Sequence, residues 1–341
     1  MNFQKILEFR VMNTTDDFSG YQDNFVVVHQ GADPPEITVV MPVYNCEQFV
    51  ESAVISVLSQ QGVVAEIIIS DDASTDDTFA CAYNTIINYI KTNNLKHTVS
   101  MRAGTYRLKR DHLHLLAKTA ACDLICQAHG DDISHSLRCA ALLEAFNNEA
   151  PTASMIFVSA IVIDQQGKLL WKPKNMSLSN IPIAPVEYHK IILAQDEILI
   201  GSNMAWRRSA FEKFPQLSTS YCAYGHDRVM AFRSFLLGSC YFLDAPLLAR
   251  RLHNNNLHKE LISSNQKSIN SFNNQLIKLC FFSTIKNDLF FLKENNLIEE
   301  TRFNQYSKDV DNNISQISKV LTRATSNLLI DGYVNNWIKN S

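Results

Sequence analysis

Ile37-Thr38-Val39-Val40-Met41-Pro42-Val43-Tyr44-Asn45 is the stretch on which the fold turns. Ile37 to Met41 is a β-branched, apolar run without alternation, the pattern of a strand buried on both faces. Asp33-Pro34-Pro35 punctuates the chain before it, because neither proline can donate a backbone hydrogen bond. From Glu47 to Gln61, Phe49, Val50, Ala53, Val54, Val57 and Leu58 recur at helical spacing, which predicts an amphipathic helix. Ala65 to Ser70 reads as a second buried strand that stops at Asp71-Asp72, and Thr78 to Lys91 is helical again. A β-α-β-α opening predicts a parallel sheet with right-handed crossovers.

Leu113 to Ala121 continues as a helix, and Cys122 to Gln127 as a strand that stops at Gly130-Asp131-Asp132. Ser154 to Ile163 is apolar and β-branched, with a turn expected at Gln165-Gln166-Gly167-Lys168. Trp171 to Pro185 is polar with three prolines and reads as a loop. Ile198 to Trp206 reads as a strand or edge segment, Asp227 to Leu237 as a helix, and Cys240 to Leu243 as a short strand. The first thirty-odd residues read as irregular. Beyond about His258 the chain turns rich in Asn, Lys and Ser. Leu276, Ile277, Leu279, Cys280 and Phe281, then Ile314, Ile317, Val320 and Leu321, are spaced for helices.

The 341 residues are 46% hydrophobic and 19% charged, a globular composition. Lys and Arg number 31 against 34 Asp and Glu, for a net charge of −3, so the chain is not built as a general nucleic-acid binder. Eight scattered cysteines, several inside apolar segments, fit buried thiols rather than a disulfide scaffold. No second pair follows at zinc-ligand spacing. Met1 to Arg10 carries charges where a secretory signal needs an apolar core, and no run of about eighteen apolar residues exists. The expectation is a cytoplasmic protein, with a peripheral contact at the inner membrane left open.

Three acidic positions carry the chemistry: Asp71-Asp72, Asp131-Asp132, and Asp227 at the start of a helix. Ligands of open parallel sheets bind at the carboxyl ends of the strands, where the two Asp pairs fall. Taken singly, each cluster is also an ordinary turn or helix cap. There is no Gly-x-Gly-x-x-Gly after the first strand, no Gly-Lys-Ser/Thr loop and no Gly-x-Ser-x-Gly elbow. What remains are carboxylates that can hold a hard divalent cation, bind a ribose or accept a proton. A nucleoside diphosphate held by a cation is the natural guest.

Five motifs in order resemble those of glycosyltransferase family 2, over roughly residues 36 to 258. Pro42-Val43-Tyr44-Asn45 looks like its opening signature, and Asp71-Asp72-Ala73-Ser74-Thr75-Asp76 its Asp-Asp-Gly-Ser-x-Asp loop. Gly130-Asp131-Asp132 resembles the metal loop, and Gly225-His226-Asp227 the catalytic-base position. Arg251-Leu252-His253-Asn254-Asn255-Asn256 resembles the C-terminal Arg-x-His-x-x-Asn element. The resemblance implies a GT-A fold: an α/β, Rossmann-like, mostly parallel sheet flanked by helices, here with a helical C-terminal extension. Residues 1–35 would be an N-terminal extension, 36–150 the nucleotide-sugar half, 151–258 the acceptor half and 259–341 the helical extension.

By resemblance, Pro42, Tyr44, Asn45 and Asp71 would line the nucleotide, and Asp72 would bind the nucleobase, uracil first. Asp131 would approach the ribose and the cation. Asp132 would ligate the cation, Mn²⁺ or Mg²⁺, and His253 would be the other protein ligand or a diphosphate contact. Asp227 would be the general base of an inverting transfer, a single carboxylate sufficing because the cation takes over the acid's role. Ser202, Asn203, Trp206 and His226 would line the sugar and acceptor pocket, with a place in the core as Trp206's alternative. Asp76 is preferred as a cap on the helix that starts near Thr78.

Two departures stand out. Ala73 occupies a family glycine position, where a left-handed backbone costs more. The family's Ala-Arg-Asn-x-Gly stretch has no clean counterpart near Asp111-His112-Leu113-His114. The diphosphate contact is therefore sought in Arg107, Lys109 and Arg110, with Arg107 first and an ordinary helical surface as the alternative.

The activity so implied moves a sugar from a UDP-sugar to a hydroxyl of a glycan or polyprenyl-diphosphate-linked acceptor, in O-antigen or capsule assembly. The alternatives are a catalytically inactive nucleotide-sugar-binding scaffold and a sugar-phosphate nucleotidyltransferase. The segment from Trp171 to Pro185 is a candidate to close over the donor. Three arrangements are open for the C-terminal helices: packing back, a homodimer, or a membrane surface.

Overall fold

The computed structural model describes residues 25–104, 110–174, 176–178, 183–186, 201–214, 226–253 and 267–340. The chain divides into two compact units, Met1–Gln216 with Met230–Leu252, and Leu217–Val229 with His253–Ser341.

The first unit is built on one mixed sheet. The expected opening is present as β2 (Ile37–Val43), α1 (Glu47–Leu58), β3 (Ala65–Asp71) and α2 (Thr78–Thr92). Then come β4 (Thr98–Ala103), α3 (Arg110–Thr119), β5 (Leu124–Gln127), β6 (Ile133–Ser134) and α4 (Arg138–Glu144). Next are β7 (Ala153–Asp164), β8 (Leu169–Trp171), β9 (Ile183–Pro185), β10 (Met204–Arg207) and the short α5 (Ser209–Glu212). Helix α6 (His226–Leu237) leads into β11 (Ser239–Leu252). A short strand, β1 (Val26–His29), lies in the N-terminal stretch expected to be irregular, and pairs antiparallel with β4.

The strand order is β1-β4-β3-β2-β5-β10-β7-β11-β6, with β8 on β7 and β9 on β11. Strands β4, β3, β2 and β5 are parallel, as the crossover helices require. Strand β10 runs antiparallel between β5 and β7, so β7 and its parallel neighbour β11 point the same way as β2, β3 and β5. The sheet thus passes unbroken from the expected nucleotide half into the expected acceptor half.

Of the strand or edge segment read at Ile198 to Trp206, β10 is a strand, and an interior one. Two readings are corrected. The short strand read at Cys240–Leu243 is only the beginning of the fourteen-residue β11. The segment Trp171 to Pro185 is held at both ends by β8 and β9.

The core fills as the periodicity implies. Val39, Met41, Ile67, Ile69, Val99 and Ile156 pack with Val50, Val54 and Val57 of α1 in one buried cluster. His97 is buried at the opposite end of the sheet from the Asp pairs. Its Nδ1 accepts the Ala65 N–H at 3.1 Å, so its Nε2 carries the hydrogen that faces the Gln60 carbonyl at 3.1 Å. Burial holds its pKa below the usual 6.5.

In the second unit, α7 (Lys267–Glu294) packs along α8 (Glu300–Asn340). Phe281, Phe282, Ile285, Leu289, Phe303, Tyr306 and Val310 are buried. Lys286 Nζ meets Asp311 Oδ1 at 2.7 Å across the pair, an exposed bridge worth little on its own. Among the described residues, no helix is long and apolar enough to cross a membrane.

A pH dependence follows from His97. Only the unfolded chain takes up its proton just below pH 6.5, so stability should be full above that value and fall as the pH drops. The slope should reach up to about 1.4 kcal/mol per pH unit from this group. His114, pushed down to about 4 chiefly by burial, extends the loss to lower pH. Urea unfolding across this range should show the decline, and His97→Gln should flatten it whatever its effect at neutral pH. An unchanged slope in that variant would remove His97 as the cause.

Candidate active site

Three loops meet at the carboxyl end of the parallel strands. The first leaves β2 through Tyr44 and Asn45, the second leaves β3 at Asp71-Asp72, and the third leaves β5 through His129 to Asp132. In the strand order, β3 and β5 flank β2, so the two Asp pairs stand on either side of the β2 exit.

The first two loops are stitched together by backbone donors and short side chains. The Asp72 N–H donates to the Val43 carbonyl at 2.8 Å, and the Asn45 N–H to Ser74 Oγ at 3.0 Å. Asn45 Oδ1 accepts the Thr75 N–H at 2.9 Å. Asp76, one residue before the N-cap Asp77, satisfies the first N–H of α2, its Oδ1 accepting the Thr78 N–H at 3.1 Å. Glu47 Oε2 accepts the Asp77 N–H at 3.0 Å, which ties the start of α1 to that of α2.

Ala73 stands at φ 61° and Asn45 at φ 45°. Asn tolerates this left-handed region, whereas Ala73 pays a steric penalty there that a glycine would avoid. Gly104 allows β4 to close on the same loop, because a Cβ there would lie 2.4 Å from the Asp71 carbonyl oxygen.

Asp71 and Asp72 are buried. Asp71 Oδ2 accepts the Ser74 N–H at 3.0 Å, a structural use of its carboxylate. Asp72 Oδ1 lies 3.7 Å from Nδ1 of the buried His112, whose Nε2 is 2.7 Å from Ser70 Oγ. Arg102 Nη1 donates to Ser70 Oγ at 3.3 Å, and the two aspartates hold up a guanidinium pKa that burial depresses. Arg102 and His112 were not picked out as site residues. The clue was a lone Arg inside the apolar run of β4.

The third loop gathers a cluster whose potential ligand atoms all lie within 4.8 Å of one another: His129, Asp131 and Asp132. His129 Nδ1 is 3.8 Å from Asp132 Oδ2, and the Gln127 amide nitrogen is 2.8 Å from His129 Nε2, fixing the ring. Burial first, then the charge of Asp131, pushes the Asp132 carboxyl above its usual pKa, against the pull of His129 and the Arg251 N–H. One imidazole nitrogen and two carboxylates suit Mn²⁺ or Mg²⁺, and a cation there would neutralise charge that burial makes costly. His129 was missed by sequence reading, although its spacing ahead of Asp131 and Asp132 on one loop was the available signal.

Arg251, on β11, locks this loop. Its backbone N–H donates to Asp132 Oδ1 at 2.8 Å and its Nε to the Asp131 carbonyl at 3.0 Å. Its Nη1 reaches the carbonyls of Asp164 at 3.3 Å and Gln165 at 3.1 Å, and its guanidinium stacks over Phe49. The buried Arg138 supports the loop from below, donating to Gln127 O at 3.0 Å, to Ser134 Oγ at 3.1 Å and to Ser202 O.

The remaining expected residues divide. Pro42 and Tyr44 are half-buried at the β2 exit. Ser202 and Asn203 form a buried turn before β10, where Asn203 Nδ2 donates to the Val158 carbonyl at 3.0 Å. Trp206 is 0% exposed and meets Phe211 edge-to-face at 5.6 Å. A ring so enclosed cannot stack on a sugar, so its pocket role is corrected to the core alternative.

Arg107 and Lys109 lie outside the described residues, as do the side chains of Arg110 and His226. Asp227 and His253 belong to the second unit. Asp227, half-buried, sits in the first turn of α6, where the helix dipole favours a carboxylate, and it supports the charge of its neighbour Arg228. His253 directly follows β11 and is buried.

The family model described as glycosyl transferase family 2 matches residues 38–214. The chain belongs to glycosyltransferase family 2. A Bacillus subtilis (strain 168) protein named as glycosyltransferase EpsE is 37% identical over 90 residues, 23% of this chain and 32% of that protein. An uncharacterized glycosyltransferase of Rickettsia prowazekii (strain Madrid E) is 23% identical over 229 residues, 64% of each chain. The family 2 chain thus spans from a third to just under two thirds of the length of these curated relatives.

Among solved structures, a mannosyltransferase of Pyrobaculum calidifontis in complex with GDP-Man and Mn²⁺ superposes with a TM-score of 0.51. It is 14% identical, and the match covers 97% of this chain and 88% of that one. S. aureus TarS 1-349 in complex with UDP gives 0.46 at 13% identity, covering 84% of this chain and 91% of that one. The mannosyltransferase match shows a shared GT-A fold.

Two variants test the cation loop of this family 2 site. A Cβ at Gly130 would lie 2.5 Å from Cys46 Sγ and 3.0 Å from Val43 Cγ1, so Gly130→Ala should cost about 1–3 kcal/mol in chemical unfolding. Asp132→Asn keeps the acceptor for Arg251 and removes a buried charge, so it should raise Tm without added cation. Mn²⁺ should raise the Tm of the parent and not that of this variant; a variant stabilised by Mn²⁺ as the parent is would exclude Asp132 as a ligand.

Proposed function

We propose that the protein transfers a sugar, with inversion, from a nucleotide-sugar to a hydroxyl of a glycan or polyprenyl-diphosphate-linked acceptor. UDP is the first candidate nucleotide, and assembly of a bacterial surface polysaccharide such as O-antigen or capsule is the setting. The observation that carries this reading is the convergence of Asp72 and the His129–Asp131–Asp132 cluster on the two strand ends that flank β2. Family 2 membership supports it.

In this reading Asp72, steadied by His112 and Arg102, binds the nucleobase beside Tyr44. His129, Asp131 and Asp132 hold the cation, Mn²⁺ or Mg²⁺, with the Arg251 N–H keeping Asp132 in place, and His253 is a further ligand or diphosphate contact. A cation bound there would neutralise the charge that develops on the leaving diphosphate. Asp227 takes the proton of the acceptor hydroxyl as its oxygen attacks the anomeric carbon. The bond from that carbon to the diphosphate oxygen breaks on the opposite face, and the nucleoside diphosphate departs. Ser202 and Asn203 shape the floor of the site from beneath the cation loop.

Asp227→Asn should lower turnover by roughly 10²–10⁴-fold while leaving nucleotide binding unchanged. Nucleotide binding is read as the Tm rise given by a panel of nucleotides with Mn²⁺, a saturating ligand adding about 2.7 kcal/mol at a hundred times its dissociation constant. Unchanged turnover in Asp227→Asn would sink the base assignment. A panel with no cation-dependent shift would sink the donor site.

A further inference from the structure

The hairpin of β7 and β8 carries chemistry that sugar transfer does not use. Gln165 through Lys172 are all exposed. Within that run Leu169 is 48% exposed, Leu170 55% and Trp171 57%, with Met176 and Leu178 exposed just beyond. Leu169 pairs with Ile163 and Trp171 with Val162 across an irregularity in the register, so the apolar residues of β8 are not confined to one face. Both faces are open, so the apolar residues are not the inner side of a covered sheet. Exposed apolar surface of this density marks an interaction site.

The charge around it says what kind. From Gln165 to Val186 there is no Asp or Glu, in a chain that carries 34 acidic residues and a net charge of −3. The same stretch holds Lys168, Lys172 and Lys174, all exposed. Leucines and a tryptophan flanked by lysines match a lipid interface. The indole and aliphatic groups enter the headgroup boundary, and the ammonium groups reach back to anionic headgroups.

The position adds a reason. Strand β7 points the same way as β2, β3 and β5, so its turn into β8 lies at the edge of the sheet where the Asp pairs sit. Arg251 grips that turn through the carbonyls of Asp164 and Gln165, and the cation loop through the carbonyl of Asp131. One side chain couples the apolar hairpin to the site.

We propose that the β7–β8 hairpin is a membrane-docking element: Leu169, Leu170 and Trp171 insert into an anionic lipid surface, with Lys168, Lys172 and Lys174 on the headgroups. Docking there presents the strand-end site to the bilayer, where an acceptor carried on a lipid would be met. The contact is independent of donor and cation chemistry.

The test uses the full chain with no nucleotide, and vesicles of phosphatidylcholine with or without phosphatidylglycerol. The protein should float with the anionic vesicles only, less so at high salt, and Trp emission should shift to shorter wavelength. Leu169→Ser/Leu170→Ser/Trp171→Ser should abolish flotation with an unchanged Tm. Lys168→Ser/Lys172→Ser/Lys174→Ser should weaken it roughly 100-fold. In a Trp337→Phe background, Trp171→Phe should still float but lose most of the emission shift, since the remaining Trp206 is buried. No flotation of the parent, or flotation unchanged in the triple apolar variant, overturns the proposal. So does a parent that self-associates without vesicles and becomes monomeric in that variant, which would assign the patch to a second copy of the chain.

Discussion

Negative charge held out of water is the constraint around which the first unit is arranged. Asp72 and Asp132 are buried at strand ends, Asp71 is beside one and Asp131 beside the other. A carboxylate in such a place needs donors, and the fold supplies them from far along the chain. The Arg251 N–H comes to Asp132, His112 to Asp72, and Arg102 lies behind both Asp71 and Asp72. The residual excess on the His129–Asp131–Asp132 loop is what a divalent cation would balance. Structure and chemistry are therefore one arrangement: a sheet edge whose buried negative charge a bound cation would offset.

Close packing of loops supports that edge. Gly130 lets the cation loop pass against Cys46 and Val43, and Gly104 lets β4 meet the Asp71 carbonyl. Asn45 and Ala73 hold left-handed backbones that make the two neighbouring turns tight enough to share hydrogen bonds. At Ala73 the geometry is kept without the residue that suits it best, so the strain is borne by the surrounding contacts with Ser74, Thr75 and Asp76.

Much of this was legible in the sequence because it is local. Buried runs such as Ile37–Met41 and Ala65–Ser70 announce strands, and the breaks at Asp71 and Gly130 announce their ends. Asp76 as a partner for the first N–H of α2 follows from its place before Thr78. What was not legible is long-range. The direction of β10 depends on partners eighty residues away in β5, and no periodicity encodes it. The length of β11 was hidden because Asp244 and Pro246 break the apolar pattern after Leu243, and Arg251 beyond them is buried by hydrogen bonds to carbonyls that no local rule anticipates. Trp206 looked like a ligand platform because aromatic residues serve both sugars and cores, and only its neighbours β5 and β7 decide between them.

The reach of Arg251 has a consequence for how the molecule is made. Its partners Asp131 and Asp132 leave the ribosome 120 and 119 residues earlier. Until β11 is synthesised, the cation loop has neither its backbone donor nor its guanidinium clamp, and β6 has no strand to pair with. Such non-local closure is slow compared with helix formation. The clamp on the acidic edge therefore waits for β11, the last strand in the sequence among the described residues.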